Sequence, residues 1–405
     1  MNILYYVPYP PNLIRVRPYN LIRALLERGH SITLASLITS AADGEDLHRL
    51  EAMGVQIVSA SMPKWRSLVN CIVYLPTRHP MQAVYSWNAS LANRLRGLIK
   101  KTQFDIVHVE HLRGAKVGLS LINGANPPVV WDSVDNISHL FRQAAQKATT
   151  LSSKAITYFE LLRTPSYERW LCEQFDQTLV TSPVDRQAFL HLNPRYPERL
   201  SVLPNGVDLR FFTPGTPEQR QDNEIVVSGK MSYHANISMV MHLAHNIMPL
   251  IWSQRPDVRL TIVGKDPPKS IKELSQDSRI TVTGEVPDIR PYLQRATIAV
   301  APITYGAGIQ NKVLEAMACA TPVIASPQAV QALNCTNGED LLIAEAPQIF
   351  AEKVLLLMQD RIMRETLGQN GRRYIEHHHS WNAMAKKLEE IYQRVLNFRE
   401  IGRNA

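Results

Sequence analysis

Residues 297–326, TIAVAPITYGAGIQNKVLEAMACATPVIAS, hold the reading on which the fold turns. An apolar strand, TIAVAPIT, runs into a loop containing Gly306 and Gly308, a helix-like run around KVLEAMA follows, and a second apolar stretch, PVIAS, ends it. Strand, helix and strand in that order form the unit of a parallel sheet covered by helices. Ligands of such sheets gather beyond the carboxyl ends of the strands, where helix N-termini present free N–H groups and the positive end of a dipole. Glycines there let the backbone approach closely, and Ile309 and Gln310 offer N–H groups to a phosphate. Lys312 adds a full positive charge beside them. About one helical turn on, the Glu315 carboxylate suits two hydrogen bonds from a vicinal diol such as ribose. Taken alone, the pair reads equally well as an ordinary solvated helix start.

The same rhythm runs through the rest of the chain. NILYYV, SITLASL, VQIVSA, FDIVHVE, PVVWDSV and FDQTLVTS are apolar strands, separated by helical patterns such as YNLIRALLERGH, whose Leu21, Ile22, Leu25 and Leu26 share a face. After the aperiodic TPGTPEQRQDN the rhythm restarts with EIVVSGKM, VRLTIVGKD and RITVTGEV. The parse is an α/β chain of two Rossmann-like, doubly wound units: 1–207, a linker over 208–223, 224–379, and a helix over 380–405 that Ser380 is suited to cap. The apolar stripe of that helix, Met384, Leu388, Ile391, Tyr392 and Val395, needs a partner and is expected to return to the first unit.

At 405 residues, 45% hydrophobic and 20% charged, the chain suits two globular domains and not extended disorder. Its four cysteines have neither metal-site nor disulfide spacing, so a reducing cytoplasm is the expected setting. The first residues lack the pattern of a signal peptide, and the charge-free stretch 316–338 is broken by Pro322 and Pro327, so no membrane span is expected. The formal charge of +8 is uneven: residues 1–205 carry 22 basic and 15 acidic side chains, residues 206–405 carry 22 and 21. Such an excess suits anionic lipid or a phosphorylated substrate. Nucleic acid is not expected, because no aromatic and arginine ladder is present.

Gly229 and Lys230 follow one strand of the second unit, and Gly264 and Lys265 another. Three strand ends on one sheet edge thus combine glycine with lysine, which suggests a diphosphate or nucleotide pocket. VLPNGVDLRFF, VRLTIVG, ITVTGEVPDIRPYLQRATIAVAP, KVLEAMACATPVIAS and GEDLLIAEAPQIFAEKVLLLM stand in the order found in the retaining glycosyltransferases of family 4. The second half resembles their donor domain, and the whole chain is similar to bacterial sugar transferases of exopolysaccharide clusters. That resemblance implies the GT-B fold, two facing Rossmann-like domains with a C-terminal helix returning to the first. It also implies a hexosyltransferase-type enzyme, a nucleotide-sugar donor on the second domain, and a lipid-linked or saccharide acceptor on the first. No metal or other cofactor is implied, and no Asp-x-Asp motif occurs.

Residue by residue, the resemblance makes Glu315 the ribose-holding glutamate and puts Val286, in GEVPD, in the loop that meets the base. Gly308, Ile309 and Lys312 match phosphate-side positions, and Lys230 matches a diphosphate contact. Gly229, Gly264 and Gln310 complete the candidate donor set, with Lys230 and Lys312 stabilising the departing diphosphate. Two departures stand out: Ala307 occupies the position of a sugar-holding glutamate, and SYHANIS offers only His234 and Asn236 where a second lysine often follows.

In the first half, Val134 stands where many relatives have a histidine, between Asp132 and Asp135. These carboxylates either face the acceptor or donor sugar, or cap the following helix. His111 and the loop arginines Arg15 and Arg17 are candidates for the acceptor and its phosphate, against ordinary exposed positions, while His108 reads as a core histidine. The triplet His377 to His379 reads as a solvated helix end and not a metal site. Lys64, Trp65, Arg66, Arg94, Arg96, Lys100 and Lys101 are expected either to dock on anionic bilayers or only to keep the domain soluble. Two rival functions share the fold: a nucleotide-sugar epimerase, and a partner subunit without turnover.

Overall fold

Short runs of aliphatic and β-branched residues, apolar on both sides, can only be strands covered on both faces. The computed structural model describes residues 1–12, 15–124, 126–147, 157–305 and 310–404. Among these, the first half has seven strands: β1 (Asn2–Val7), β2 (Ser31–Ile38), β3 (Gln56–Ser61), β4 (Ile106–Glu110), β5 (Val129–Val134), β6 (Gln177–Val180) and β7 (Leu200–Val202). They form one parallel sheet in the order β3-β2-β1-β4-β5-β6-β7. The second half has six: β8 (Glu224–Ser228), β9 (Arg259–Val263), β10 (Ile280–Gly284), β11 (Ile298–Ala301), β12 (Val323–Ala325) and β13 (Leu342–Ile343). Their parallel order is β10-β9-β8-β11-β12-β13.

Both orders reverse direction beside the first strand of the sheet. Right-handed crossovers then send successive helices to opposite faces, and a crevice opens at the carboxyl ends of β1 and β4, and of β8 and β11. This is the doubly wound α/β fold expected from the sequence. The first core centres on Trp131, stacked on Phe175 at 5.6 Å and meeting Phe189 edge-on at 5.9 Å. The second is aliphatic, built on Ile225, Ile262, Val300, Val313 and Ile324.

The chain divides into two units, Met1–Pro204 together with the segment from Met384 onward, and Asn205–Ala383. The polar residues 208–223 have no regular element beyond the turn Pro217–Gln219, yet they belong to the second unit. Arg220 fastens them, donating to the Ala296 carbonyl at 2.7 Å and the Ala320 carbonyl at 3.2 Å. The run ISMVMHLAHNIMPLIWSQ, periodic enough for one helix, is broken into His234–His242, a wider π turn Leu243–Ile247, and Met248–Trp252. Pro249, which lacks an N–H and crowds the carbonyl one turn back, sits at that break.

Ser380 accepts from the Ala383 N–H at 3.1 Å and starts the helix Trp381–Asn404. From Met384 on this helix packs in the first unit: Leu388, Ile391 and Tyr392 are buried, and Tyr392 Oη and His108 Nδ1 are hydrogen-bonded at 2.7 Å. Glu389 accepts from Arg28 Nε and Nη2, both at 2.6 Å. Replacing Leu388 by Ala should therefore remove roughly 2–5 kcal/mol of unfolding free energy, measured by urea denaturation. A loss below about 0.5 kcal/mol, the range of an uninvolved surface position, would contradict the packing.

Candidate functional site

At the carboxyl edge of the second sheet, the chains leaving β8 and β9 touch. Gly229 (φ +150°) and Gly264 (φ +154°) hold backbone conformations that favour glycine. A Cβ added to Gly264 would lie 1.7 Å from the Gly229 carbonyl oxygen, so residue 264 has no room for a side chain. The sequence reading took these glycines, each followed by a lysine, as part of a diphosphate or nucleotide pocket; the neighbouring backbone by itself already requires the second of them. Gly229 N–H donates to Val263 O at 3.0 Å, Met231 N–H to Lys265 O at 2.9 Å, and Gly264 N–H to Gly284 O at 3.2 Å. Lys230 and Lys265 extend from this stitched edge as exposed side chains.

The helix Asn311–Ala318 starts beside the same edge. Lys312 Nζ donates to Asn236 Oδ1 at 2.9 Å and to Gln310 Oε1 at 3.2 Å. Asn236 Nδ2 in turn donates to the Lys230 carbonyl at 2.9 Å. Both lysine partners are neutral, so they orient the ammonium without cancelling its charge. Burial pushes Lys312 down to about 8, against the pull of Glu315, and pushes Glu315 up to about 7, against Lys312. Among the described residues the Glu315 carboxylate has no hydrogen-bond or ion-pair partner. His234 stacks on Tyr305 with ring centroids 5.6 Å apart, and Ser238 and Thr304 hydroxyls are 3.1 Å apart, joining the start of the helix His234–His242 to the chain beyond β11. Val286 is half-buried and packs on the second core. Gly308 and Ile309 lie outside the described residues.

In the first unit, Arg17 and Asp132 depart from their expected roles. Arg17 does not sit in an exposed loop: it is 6% exposed, in the helix Val16–Glu27, and donates to Asp132 Oδ2 from Nε at 3.0 Å and from Nη2 at 2.7 Å. An arginine so committed is not available to hold an acceptor phosphate, and Asp132 is not a free carboxylate. Asp132 Oδ1 accepts from the Val134 N–H at 3.1 Å, and its carbonyl accepts from the His111 N–H at 2.6 Å. Val134 (φ +69°) and His111 (φ +68°) are both left-handed, a costly conformation for a β-branched residue. Among the described residues neither aspartate accepts from the first turn of the helix Ile137–Lys147: Asp132 takes the Val134 N–H and Asp135 the Thr181 hydroxyl. Glu168 receives the Ile137 and Ser138 N–H groups at 2.8 and 3.1 Å, and Asn136 receives that of His139 at 2.8 Å.

Asp135 is half-buried, 3.5 Å from the Thr181 hydroxyl, and burial with nearby Asp185 pushes it up to about 6. His111 Nδ1 accepts from the Arg113 N–H at 3.3 Å, and burial with the charge of Arg113 lowers it to about 4. Arg15 is partly engaged, donating to Pro10 O at 3.0 Å and lying 3.5 Å from Asp43. The sequence reading missed Glu110, which is buried, accepts from the Tyr5 hydroxyl at 3.3 Å, and is pushed up to about 8 by burial and Asp132. The three consecutive histidines have separate surroundings: His377 donates to Arg373 O at 2.7 Å, His378 lies against the Tyr374 ring, and His379 is buried. Among the described residues no group of three His, Cys, Asp or Glu side chains is arranged to hold a metal ion.

Two family models match the chain: "Glycosyltransferase Family 4" over residues 15–211 and "Glycosyl transferases group 1" over residues 222–360. A mannosyltransferase of Corynebacterium glutamicum, described as a GDP-mannose-dependent monoacylated alpha-(1-6)-phosphatidylinositol monomannoside mannosyltransferase, is 30% identical over 47% of this chain. The match spans 55% of that relative, about half its length. The MMP alpha-(1->4)-mannosyltransferase of Mycolicibacterium hassiacum is 26% identical over 73% of this chain and 72% of its own. Among solved structures, that of an Anabaena protein in complex with UDP and glucose superposes with a TM-score of 0.65 at 15% identity, covering 97% of this chain and 100% of the other. Fold, edge chemistry and matches agree on a sugar-transferring class with the GT-B architecture. The chain belongs to the family 4 glycosyltransferases.

Replacing Arg17 by Met would leave the Asp132 carboxylate buried and unpaired, a change that typically costs about 3–5 kcal/mol. Chemical denaturation should register that loss. Loss of acceptor use at unchanged stability would instead return Arg17 to a substrate-binding role.

Proposed function

We propose that this chain moves a sugar from a nucleotide-sugar donor to a hydroxyl of a lipid-linked or saccharide acceptor, with retention at the anomeric carbon, in glycolipid or polysaccharide synthesis. The observation that carries the reading is the pairing of Lys312, oriented by two neutral amides, with the Glu315 carboxylate one turn along, which has no partner among the described residues. A nucleoside diphosphate supplies both complements, an anionic diphosphate for the lysine and a ribose diol for the glutamate. The names of the two mannosyltransferases and the UDP and glucose of the Anabaena structure support the donor class.

In this reading the bond between the anomeric carbon and the diphosphate oxygen breaks. The acceptor oxygen attacks from the face the diphosphate leaves, and the acceptor's proton passes to the departing phosphate. Lys230 and Lys312 stabilise the charge that develops on that phosphate. Asp135 is the remaining candidate near the acceptor, raised to about 6 and not committed to a cap. An epimerase using carboxylates as acid and base on the sugar is not favoured, since the family models and the named relatives are glycosyltransferases.

A thermal-shift panel of nucleotide sugars tests the donor class, since a ligand stabilises the fold it binds. Glu315→Ala should weaken the donor that shifts the melt by about 1.5–3 kcal/mol, roughly ten- to 150-fold in Kd. Unchanged affinity would remove the ribose role from Glu315.

The pH dependence has a definite sign. Lys312 is charged below about 8 and Glu315 ionised above about 7, so the two charges coexist best between these values. Nucleotide affinity should peak in that window and decline on both sides, by up to about tenfold per pH unit beyond each limit. A nucleoside without phosphates should lose only the alkaline decline, and a flat profile for the nucleotide from about pH 6 to 9 would contradict both assignments.

A further inference from the structure

Along the helix Lys64–Tyr74 the usual sorting of side chains is reversed. Its protein-facing side carries the buried Ser67, and Asn70, whose amide donates to Val84 O at 3.1 Å and Trp87 O at 2.9 Å. These bonds fix the helix with a polar face inward. The outward side carries Trp65, Leu68, Val69 and Ile72, spaced three and four residues apart, and Val73 and Leu75 widen it. Trp65 is 65% exposed and Ile72 69%. The exposed Leu162 adds to this surface, because its neighbour Arg163 donates from Nη2 to the Leu75 carbonyl at 2.8 Å. A contiguous apolar face of this kind marks a contact surface, unlike scattered single residues.

Charge identifies what it contacts. Residues 52–104 contain seven lysines and arginines and no aspartate or glutamate. Lys64 and Arg66 flank Trp65, and the exposed Arg78 follows the helix. The acidic group next to this region, Glu160, is buried and accepts from the Met81 N–H at 3.0 Å. A second copy of the same face would bring like charges together, which opposes self-association. An apolar strip with a tryptophan and a cationic rim matches the boundary between acyl chains and acidic headgroups.

We propose that this face seats the first unit on a bilayer of acidic phospholipids. Trp65, Leu68 and Ile72 enter the headgroup boundary, and Lys64, Arg66 and Arg78 meet lipid phosphates. The proposal rests on the first unit alone and does not depend on the donor chemistry of the second.

Sedimentation of the full chain with vesicles tests it, comparing phosphatidylcholine alone with phosphatidylcholine containing about 30% phosphatidylglycerol. Partitioning should be at least roughly tenfold stronger on the acidic vesicles and fall several-fold when salt is raised from about 0.1 to 0.5 M. The double variants Leu68→Ser with Ile72→Ser, and Lys64→Glu with Arg66→Glu, should each lose about tenfold in partitioning while keeping the wild-type melting temperature and nucleotide-induced shift. Equal binding to both vesicle types would overturn the proposal, as would wild-type partitioning by the apolar variant. A solution dimer that the apolar variant disperses would also overturn it, by making a second copy the occupant. If no nucleotide sugar shifts the melt while acidic vesicles still bind, the donor reading falls and this one stands.

Discussion

Residue 264 cannot carry a side chain, because the carbonyl of Gly229 occupies the place where its Cβ would be. The bare glycine there permits the ends of β8 and β9 to meet, where Gly229 N–H bonds Val263 O and Met231 N–H bonds Lys265 O, and the second-unit site is arranged around that contact. It fixes the backbone from which the Lys230 carbonyl accepts Asn236, and Asn236 in turn aims Lys312. Because the partners of the lysine are amides, its charge is oriented and left uncompensated. Glu315, one turn away, likewise has no hydrogen-bond or ion-pair partner among the described residues, and only the more distant pull of Lys312 acts on it. The site thus stores two mismatched charges in poorly solvated positions, which anionic and hydroxylic groups can satisfy together.

The first unit handles charge in the opposite way. Arg17 is matched by Asp132 inside the sheet edge, and Glu110 beside them is pushed up by burial and by the Asp132 charge. His108, stacked on Tyr5 at 4.2 Å and bonded to Tyr392, is held neutral by burial and by Arg17, which lower it to about 3. The surplus of that cluster is geometric and not electrostatic. Asp132 anchors two left-handed residues, His111 and Val134, at the ends of adjacent strands. Backbone strain at such ends persists only where surrounding bonds over-determine it, and here one aspartate supplies two of them.

The sheets were legible because parallel strands covered on both faces are largely apolar, and short runs such as NILYYV and EIVVS recur between helical patterns. The edge glycines and Lys312 were legible for the same local reason: glycine at a strand end followed by lysine has few structural uses. What was not legible involved partners far apart in sequence. Lys312 and Asn236 are 76 residues apart and Arg17 and Asp132 are 115 apart, and no local pattern announces either pair. Arg17 looked like a loop residue because prolines precede it. It is instead in the first turn of a helix, where its side chain reaches under the sheet edge. The segment 64–75 is legible only in part: its basic and aromatic residues stand out in the sequence, while the apolar stripe beside them has the pattern of an ordinary buried face. Only Ser67 and Asn70, polar residues at the spacing of the inward side, hinted at the reversal.

The helix Trp381–Asn404 begins in one unit and finishes in the other, so the first unit is not a continuous stretch of chain. This has a consequence for biosynthesis. A ribosome delivers domains in order, and the earlier one usually completes its fold while the later is still being made. Here the first sheet emerges without the helix that buries His108 and pairs with Arg28, and must wait while the entire second unit is translated. Asn205–Ala383 is contiguous and can close as soon as it is released. The first sheet is therefore sealed by Leu388 and Tyr392 only after the whole of Asn205–Ala383 has been translated.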